Sequence, residues 1–153
     1  MASDTTATVR KGSCLCGNIK YELTGEPFNA LLCHCLNCKK VTGSPFWGNG
    51  WFFKKQITIH ATPEDSIKTY EDSATDGGSL LLRKFCGRCG ATMFVESELG
   101  PEIIIVSVGS LDKGEKPWKT AKECYAKDSF GWGPNGEGVE VTQGPFVLDK
   151  AES

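Results

Sequence analysis

The sequence predicts a mainly β domain with little helix, organised around cysteine clusters that bind metal. Apolar residues alternate along most segments instead of recurring every three or four, which is the strand period. Glycine occupies 18 of 153 positions, well above an ordinary share of about 7 %, so turns are many and long helices few. Seven of the eight cysteines fall into three tight groups, Cys14/Cys16, Cys33/Cys35/Cys38 and Cys86/Cys89.

Taken in order, the first predicted strand starts just after Cys16, where Ile19, Tyr21 and Leu23 share one face. The second cysteine group opens the one convincing helical piece, one or two turns over 35–41, which Gly43 and Pro45 cut off. Phe52 with Phe53 and Ile57 with Ile59 mark a pair of short strands around 54–56. Residues 80–85 run as a strand into the Cys86/Cys89 turn, and 92–95 run out of it. The β-branched run 103–108 reads as a buried strand ended by a turn at Gly109 and Ser110. Residues 123–127 give a weaker strand signal. The length fits one domain, expected over 9–150, with 1–8 and 151–153 as flexible termini.

Composition narrows the function classes. With 39% apolar and 24% charged residues the balance is globular, and a formal charge of -2 gives no basic field to hold phosphates, so nucleic acid is not an expected partner. The first twelve residues are polar and include Arg10 and Lys11, which is unlike a signal peptide, and no window approaches the roughly 18 apolar residues of a membrane span. The expected setting is therefore cytoplasmic and reducing. Reduced thiols at these spacings bind metal; they do not build the disulfide framework of a small secreted domain.

Two thiolates separated by two residues and followed by glycine, as in Cys86-Gly87-Arg88-Cys89-Gly90, fold into a tight knuckle that supplies two of four ligands. Cys14 and Cys16, one residue apart in an extended stretch, project to the same side and complete the set. A zinc held by four cysteines is structural. In Cys33-His34-Cys35-Leu36-Asn37-Cys38 no second pair remains, so three thiolates leave one position of a second zinc for water or substrate. Cys124 either fills that position or packs as a small core residue. His34 faces away from Cys33 and Cys35 in an extended stretch, giving it a supporting or packing role ahead of metal ligation.

These motifs, with Gly12-Ser13-Cys14-Leu15-Cys16-Gly17, Lys39-Lys40-Val41-Thr42-Gly43-Ser44-Pro45-Phe46, Arg83-Lys84-Phe85-Cys86 and Val108-Gly109-Ser110-Leu111-Asp112, make the chain resemble the glutathione-dependent formaldehyde-activating enzymes, the family that includes centromere protein V. The similarity runs nearly the whole length, to Trp132. The resemblance implies small twisted antiparallel sheets around zinc sites. It also implies a structural zinc on Cys14, Cys16, Cys86 and Cys89, and a more labile catalytic zinc on Cys33, Cys35 and Cys38. The implied chemistry is carbon-sulfur lyase action on an adduct of glutathione or a related thiol, typically S-(hydroxymethyl)glutathione.

Two departures bear on the thiol preferred. Lys39-Lys40 stands where relatives usually carry Arg-Lys, and a lysine lacks the forked grip on a carboxylate. Glu123-Cys124-Tyr125 stands where relatives often show a histidine. Lys39, Lys40, Arg83 and Arg88 are candidates to receive glutathione's carboxylates, or are solvated cations. Phe46, Trp47, Trp51 and Phe52 either wall the pocket or belong to the core, and Gly109 and Asp112 shape a turn, with Asp112 a remote candidate for proton transfer. The competing function is a non-enzymatic, zinc-stabilised module for a protein partner. Nothing in the sequence specifies an oligomeric state.

Overall fold

The structure is a computed structural model and describes residues 7–131 and 138–146. Trp132 and the ends of the chain, 1–6 and 147–153, lie outside the described residues. The fold is mainly β, as expected, with two antiparallel-based sheets. β1 (Val9–Ser13), β2 (Ile19–Thr24) and β5 (Ile57–Ala61) form the smaller, in the order β1-β2-β5. The larger has eight strands. From one edge these are β11 (Glu140–Val141), β10 (Lys122–Cys124), β3 (Asn29–Cys33), β4 (Trp47–Phe53), β9 (Gly100–Ser107), β8 (Thr92–Ser97), β7 (Leu81–Cys86) and β6 (Ile67–Asp72). β10 joins β3, and β11 joins β10, in parallel; the other pairings are antiparallel.

The alternation of β2 is realised in full: Ile19, Tyr21 and Leu23 are buried while Lys20, Glu22 and Thr24 face water. They pack on one face of the large sheet, against Phe52, Phe94, Ile104 and Val106, forming the main core. Tyr21 meets Phe94 edge to face at 5.4 Å between ring centroids, a geometry aromatic quadrupoles favour. Trp118 closes the far side of this core against Phe52. Its indole fits because residue 50 is glycine: a Cβ there would stand 2.6 Å from Trp118 Cε2.

Strands flank 54–56 as predicted, yet they do not pair with each other. β4 joins the large sheet and β5 the small one, so the 3-10 turn Lys54–Gln56 is a crossover between layers. Three strands lack an alternating apolar signal for distinct reasons. β1 buries Arg10 and Gly12, whose guanidinium bonds the Gly25 and Lys116 carbonyls and Glu26 in the first case and whose bare Cα faces Tyr21 in the second. β3 is buried at all five residues, Leu31 and Cys33 at the floor of the cleft included, so its burial follows no alternation. β6 is an edge strand that exposes Lys68, Thr69, Tyr70 and Glu71.

The second face of the large sheet stays partly open. Cross-strand partners Trp51, Ile105, Val95 and Arg83 form one row across β4, β9, β8 and β7, while the adjacent row of Phe52 and Ile104 points into the core. The helix α1 (Leu36–Thr42) begins at Cys35 and ends at Gly43, beside one end of this open face. No helix among the described residues is long and apolar enough to cross a membrane.

Candidate metal centres

All eight cysteines are free thiols. Four of them, Cys14, Cys16, Cys86 and Cys89, bring their sulfurs within 4.8 Å of one another, and so do Cys33, Cys35 and Cys38. Both groupings are those the spacing predicts.

The quartet joins two turns. The β1-β2 turn is closed by Cys14 N–H to the Ile19 carbonyl and Gly17 N–H to the Cys14 carbonyl, and the Ile19 amide donates to Cys14 Sγ at 3.2 Å. The β7-β8 knuckle is closed by Cys86 N–H to the Ala91 carbonyl and Gly90 N–H to the Cys86 carbonyl, with Gly90 at φ 73°, a left-handed backbone that glycine adopts without strain. Sulfurs separate by 3.6 Å between Cys14 and Cys16 and by 3.7 Å between Cys16 and Cys86. A tetrahedral zinc with bonds of about 2.3 Å places its sulfurs roughly 3.8 Å apart, which these two separations match. Protonation points the same way. The Ala91 amide holds Cys89 down at about 6. Cys16, despite the Asn18 amide, is pushed up to about 11 by burial and by Cys14, Cys86 and Cys89. Four thiols this close do not all ionise unless a cation sits among them.

The trio sits where β3 turns into α1. Cys33 ends β3, Cys35 caps the helix and receives the Cys38 amide at 3.4 Å, and Cys38 lies one turn in. Hydrogen bonds from Cys33 and then Cys38 hold the Cys35 thiol down at about 2, while Cys124 and then Cys35 push Cys33 up, and Cys33 and then Cys35 push Cys38 up. Behind the trio, Arg83 donates to Asp72 at 2.7 Å and reaches Cys38 Sγ at 3.9 Å. Asn37 donates to both Asp72 oxygens, tying the start of α1 to the same carboxylate. A buried guanidinium beside thiolates favours their charged form and orients the site from outside the sulfur shell.

The trio opens onto the uncovered sheet face. A cleft of about 1020 Å³ is lined there by Cys33, Cys35 and Cys38, by Trp47 and Trp51, and by Leu81, Val95 and Ile105. Quartet residues do not line it. Lys39 and Arg83 reach the cleft, but Lys39 Nζ donates to the Asp128 carbonyl at 2.6 Å and lies over the Phe130 ring, and Arg83 is paired with Asp72. Lys40 is exposed on the outer side of α1 and does not line the cleft. Phe46 packs against His34, Phe52 is in the main core, and Arg88 bonds Asn18 near the quartet. Asp112 accepts from the Ser13 hydroxyl beside β1, and Gly109 lies in the 3-10 turn Val108–Ser110.

His34 turns away from the trio and is buried, its Nε2 paired with Glu123 of β10; its Nδ1 has no hydrogen-bond partner among the described residues. Cys124, in register with Cys33 on the neighbouring strand, is buried and lines the cleft next to Cys33, outside the converging three. Tyr125 escaped the sequence reading. It is 9% exposed, lines the cleft, and holds φ at 57°, a left-handed conformation uncommon in residues other than glycine. Burial, followed by Asp76 and the thiolates, pushes its phenol up, so it stays protonated. An unpatterned tyrosine after a short strand carries no sequence signal for this placement.

The family model of the glutathione-dependent formaldehyde-activating enzyme matches residues 9–128. Among solved structures, a Rhodobacter sphaeroides protein known from its crystal structure superimposes with a TM-score of 0.52 at 23% sequence identity, over 71% of this chain and 99% of that one. That likeness concerns the fold. No curated protein matches the sequence. The family match spans most of the chain and contains both cysteine clusters, and on that ground the protein belongs to the glutathione-dependent formaldehyde-activating enzyme family.

Proposed function

We propose that the protein is a zinc-dependent carbon-sulfur lyase that interconverts a thiol-aldehyde adduct, such as S-(hydroxymethyl)glutathione, with the free thiol and aldehyde. The observation that carries this reading is the contrast between the two clusters: four sulfurs closed on themselves, and three at the end of a cleft large enough for a small molecule. Cys14, Cys16, Cys86 and Cys89 would hold a structural zinc, and Cys33, Cys35 and Cys38 a catalytic one. Bound to the trio, zinc would supply a Lewis acid with one position left by the protein for substrate.

Cleavage breaks the C–S bond of the adduct, returns its electron pair to sulfur, and moves the hydroxyl proton to the departing thiolate; the reverse reaction adds the thiol to the carbonyl. Neither direction needs an oxidant or reductant. A free thiol is only about 3 % thiolate at neutral pH, so full ionisation yields roughly 30-fold. The remaining acceleration comes from holding thiolate and carbonyl together. Trp47 and Trp51 wall the cleft and exclude water, while Tyr125, held protonated, donates to the substrate oxygen. Of the thiol-binding residues expected from the sequence, Lys39 and Arg83 line the cleft and would meet a carboxylate only by giving up the Asp128 carbonyl and Asp72, while Lys40 and Phe46 would act from outside the cleft lining. The thiol sites require a reducing setting such as the cytoplasm.

NMR exchange spectroscopy with labelled formaldehyde and glutathione, with and without zinc-loaded protein, tests the reading. Faster exchange with protein, lost in Cys35→Ser, is expected. No acceleration with both sites loaded would leave the zinc-stabilised interaction module instead.

A further inference from the structure

The floor of the cleft differs in kind from what a peptide such as glutathione requires. From the trio outward, Trp47 and Trp51 lie on one face of β4, about 14 Å of strand apart, and Ile105, Val95 and Leu81 continue that surface across β9, β8 and β7. Leu99, at 75% exposure, stands at the rim. Several polar groups on this floor are already engaged. Asn49 Nδ2 donates to the Trp47 carbonyl and its Oδ1 accepts from Trp51 Nε1, and Ser97 Oγ accepts from the Leu99 amide. The cations nearest the trio are engaged as well, Arg83 by Asp72 and Lys39 by the Asp128 carbonyl. Asp76, Asp128 and the exposed Lys127 add charges of both signs to the lining. A large apolar surface continuous with a reactive centre, with Asn49, Trp51 and Ser97 bonded to neighbours on the floor itself, recognises an apolar group.

Resting on the lyase reading above, we infer that the preferred substrate is a thiol-aldehyde adduct bearing an apolar alkyl or aryl group, which lies on Trp51, Ile105 and Leu81 while the sulfur meets the trio. Formaldehyde adducts of glutathione leave that surface in water. The group rides on either the aldehyde or the thiol, and both sources present the same chemistry to the floor.

The test compares zinc-loaded protein acting on three adducts by exchange spectroscopy: formaldehyde with glutathione, hexanal with glutathione, and formaldehyde with 2-phenylethanethiol. Burying a six-carbon group is expected to favour at least one of the latter two by roughly tenfold or more, and which one identifies the carrier. In parallel, binding of S-hexylglutathione and S-methylglutathione, which cannot react, is followed by tryptophan fluorescence; a tenfold or greater preference for the hexyl compound is expected. Ile105→Thr and the rim variant Leu99→Ser are each expected to narrow these ratios severalfold. Equal affinity for the two thioethers, or equal acceleration of all three adducts, overturns the inference and leaves the lyase reading standing. A hexyl preference without acceleration of any adduct supports the apolar site and removes the lyase reading.

Discussion

Cys35 and Cys86 have the same side chain and opposite consequences. Cys35 caps α1 beside the cleft, where only three sulfurs converge, and it is half-buried at the edge of the second core cluster that holds Cys33 and Cys38. Cys86 is fully buried between β7 and the knuckle, in contact with the main core. Cys35→Ser is therefore expected to reduce bound zinc from two equivalents to one, abolish any lyase activity and leave far-ultraviolet circular dichroism unchanged. Cys86→Ser is expected to yield insoluble or unfolded protein, because it opens the quartet and the core together. Metal analysis and circular dichroism on both variants check this division, and equal damage from the two contradicts it. At this scale the sequence was informative where chemistry demands a fixed residue type: all seven clustered cysteines converge as their spacing requires. Tyr125 and the Asp72-Arg83 pair behind Cys38 were not legible, because their roles come from partners 11 to 45 residues away or from a backbone conformation that no neighbouring residue announces.

At the scale of elements, β4 shows how two functions share a strand. Trp47 and Trp51 face the cleft, Phe52 faces the core, and the glycine between lets Trp118 lie flat on the inner side. Gly50→Ala pushes a methyl into a buried indole and is expected to cost about 1–3 kcal/mol in urea unfolding. Glu96 of β8 offers a pH test. Against the opposing effect of burial, its hydrogen bonds to Lys54 and Lys84 hold its carboxyl below the usual carboxylate range. A depressed folded value means the ionised pair stabilises the protein above the unfolded value and loses that contribution as pH falls through the folded one. Glu96→Gln is expected to lower the melting temperature by a few degrees above about pH 5, with the gap closing in more acid solution. Strands with one wet face, such as β2, were legible from alternation. β3 and β6 were not, since burial at every position removes the alternation and an exposed edge removes the apolar residues.

For the whole molecule, the two centres differ in what depends on them. Structural zinc contributes roughly 10–16 kcal/mol in peptides, against net domain stabilities of about 5–15, so a zinc held by the quartet would be comparable to the entire folding free energy. The quartet ties the turn between β1 and β2 to the knuckle between β7 and β8, and so ties the small sheet to the large one. Mild chelation is expected to remove the trio's zinc first with the near-ultraviolet signal retained. Exhaustive chelation under denaturing heat is expected to take the second together with the tertiary structure. A single metal-loss step coincident with unfolding would contradict this order.

By itself the sequence determined the ligand types, their partition into four and three, the mainly β class and the family, because coordination geometry and strand periodicity are short-range constraints written in local spacing. Only the tertiary structure decided that the three-sulfur site faces an apolar floor, that Lys39 and Arg83 are already engaged there, and that Lys40 and Phe46 lie elsewhere. Those are properties of a surface assembled from β3, β4, β7, β8, β9 and β10, and which side chains share it depends on strand order and register, which long-range pairing sets.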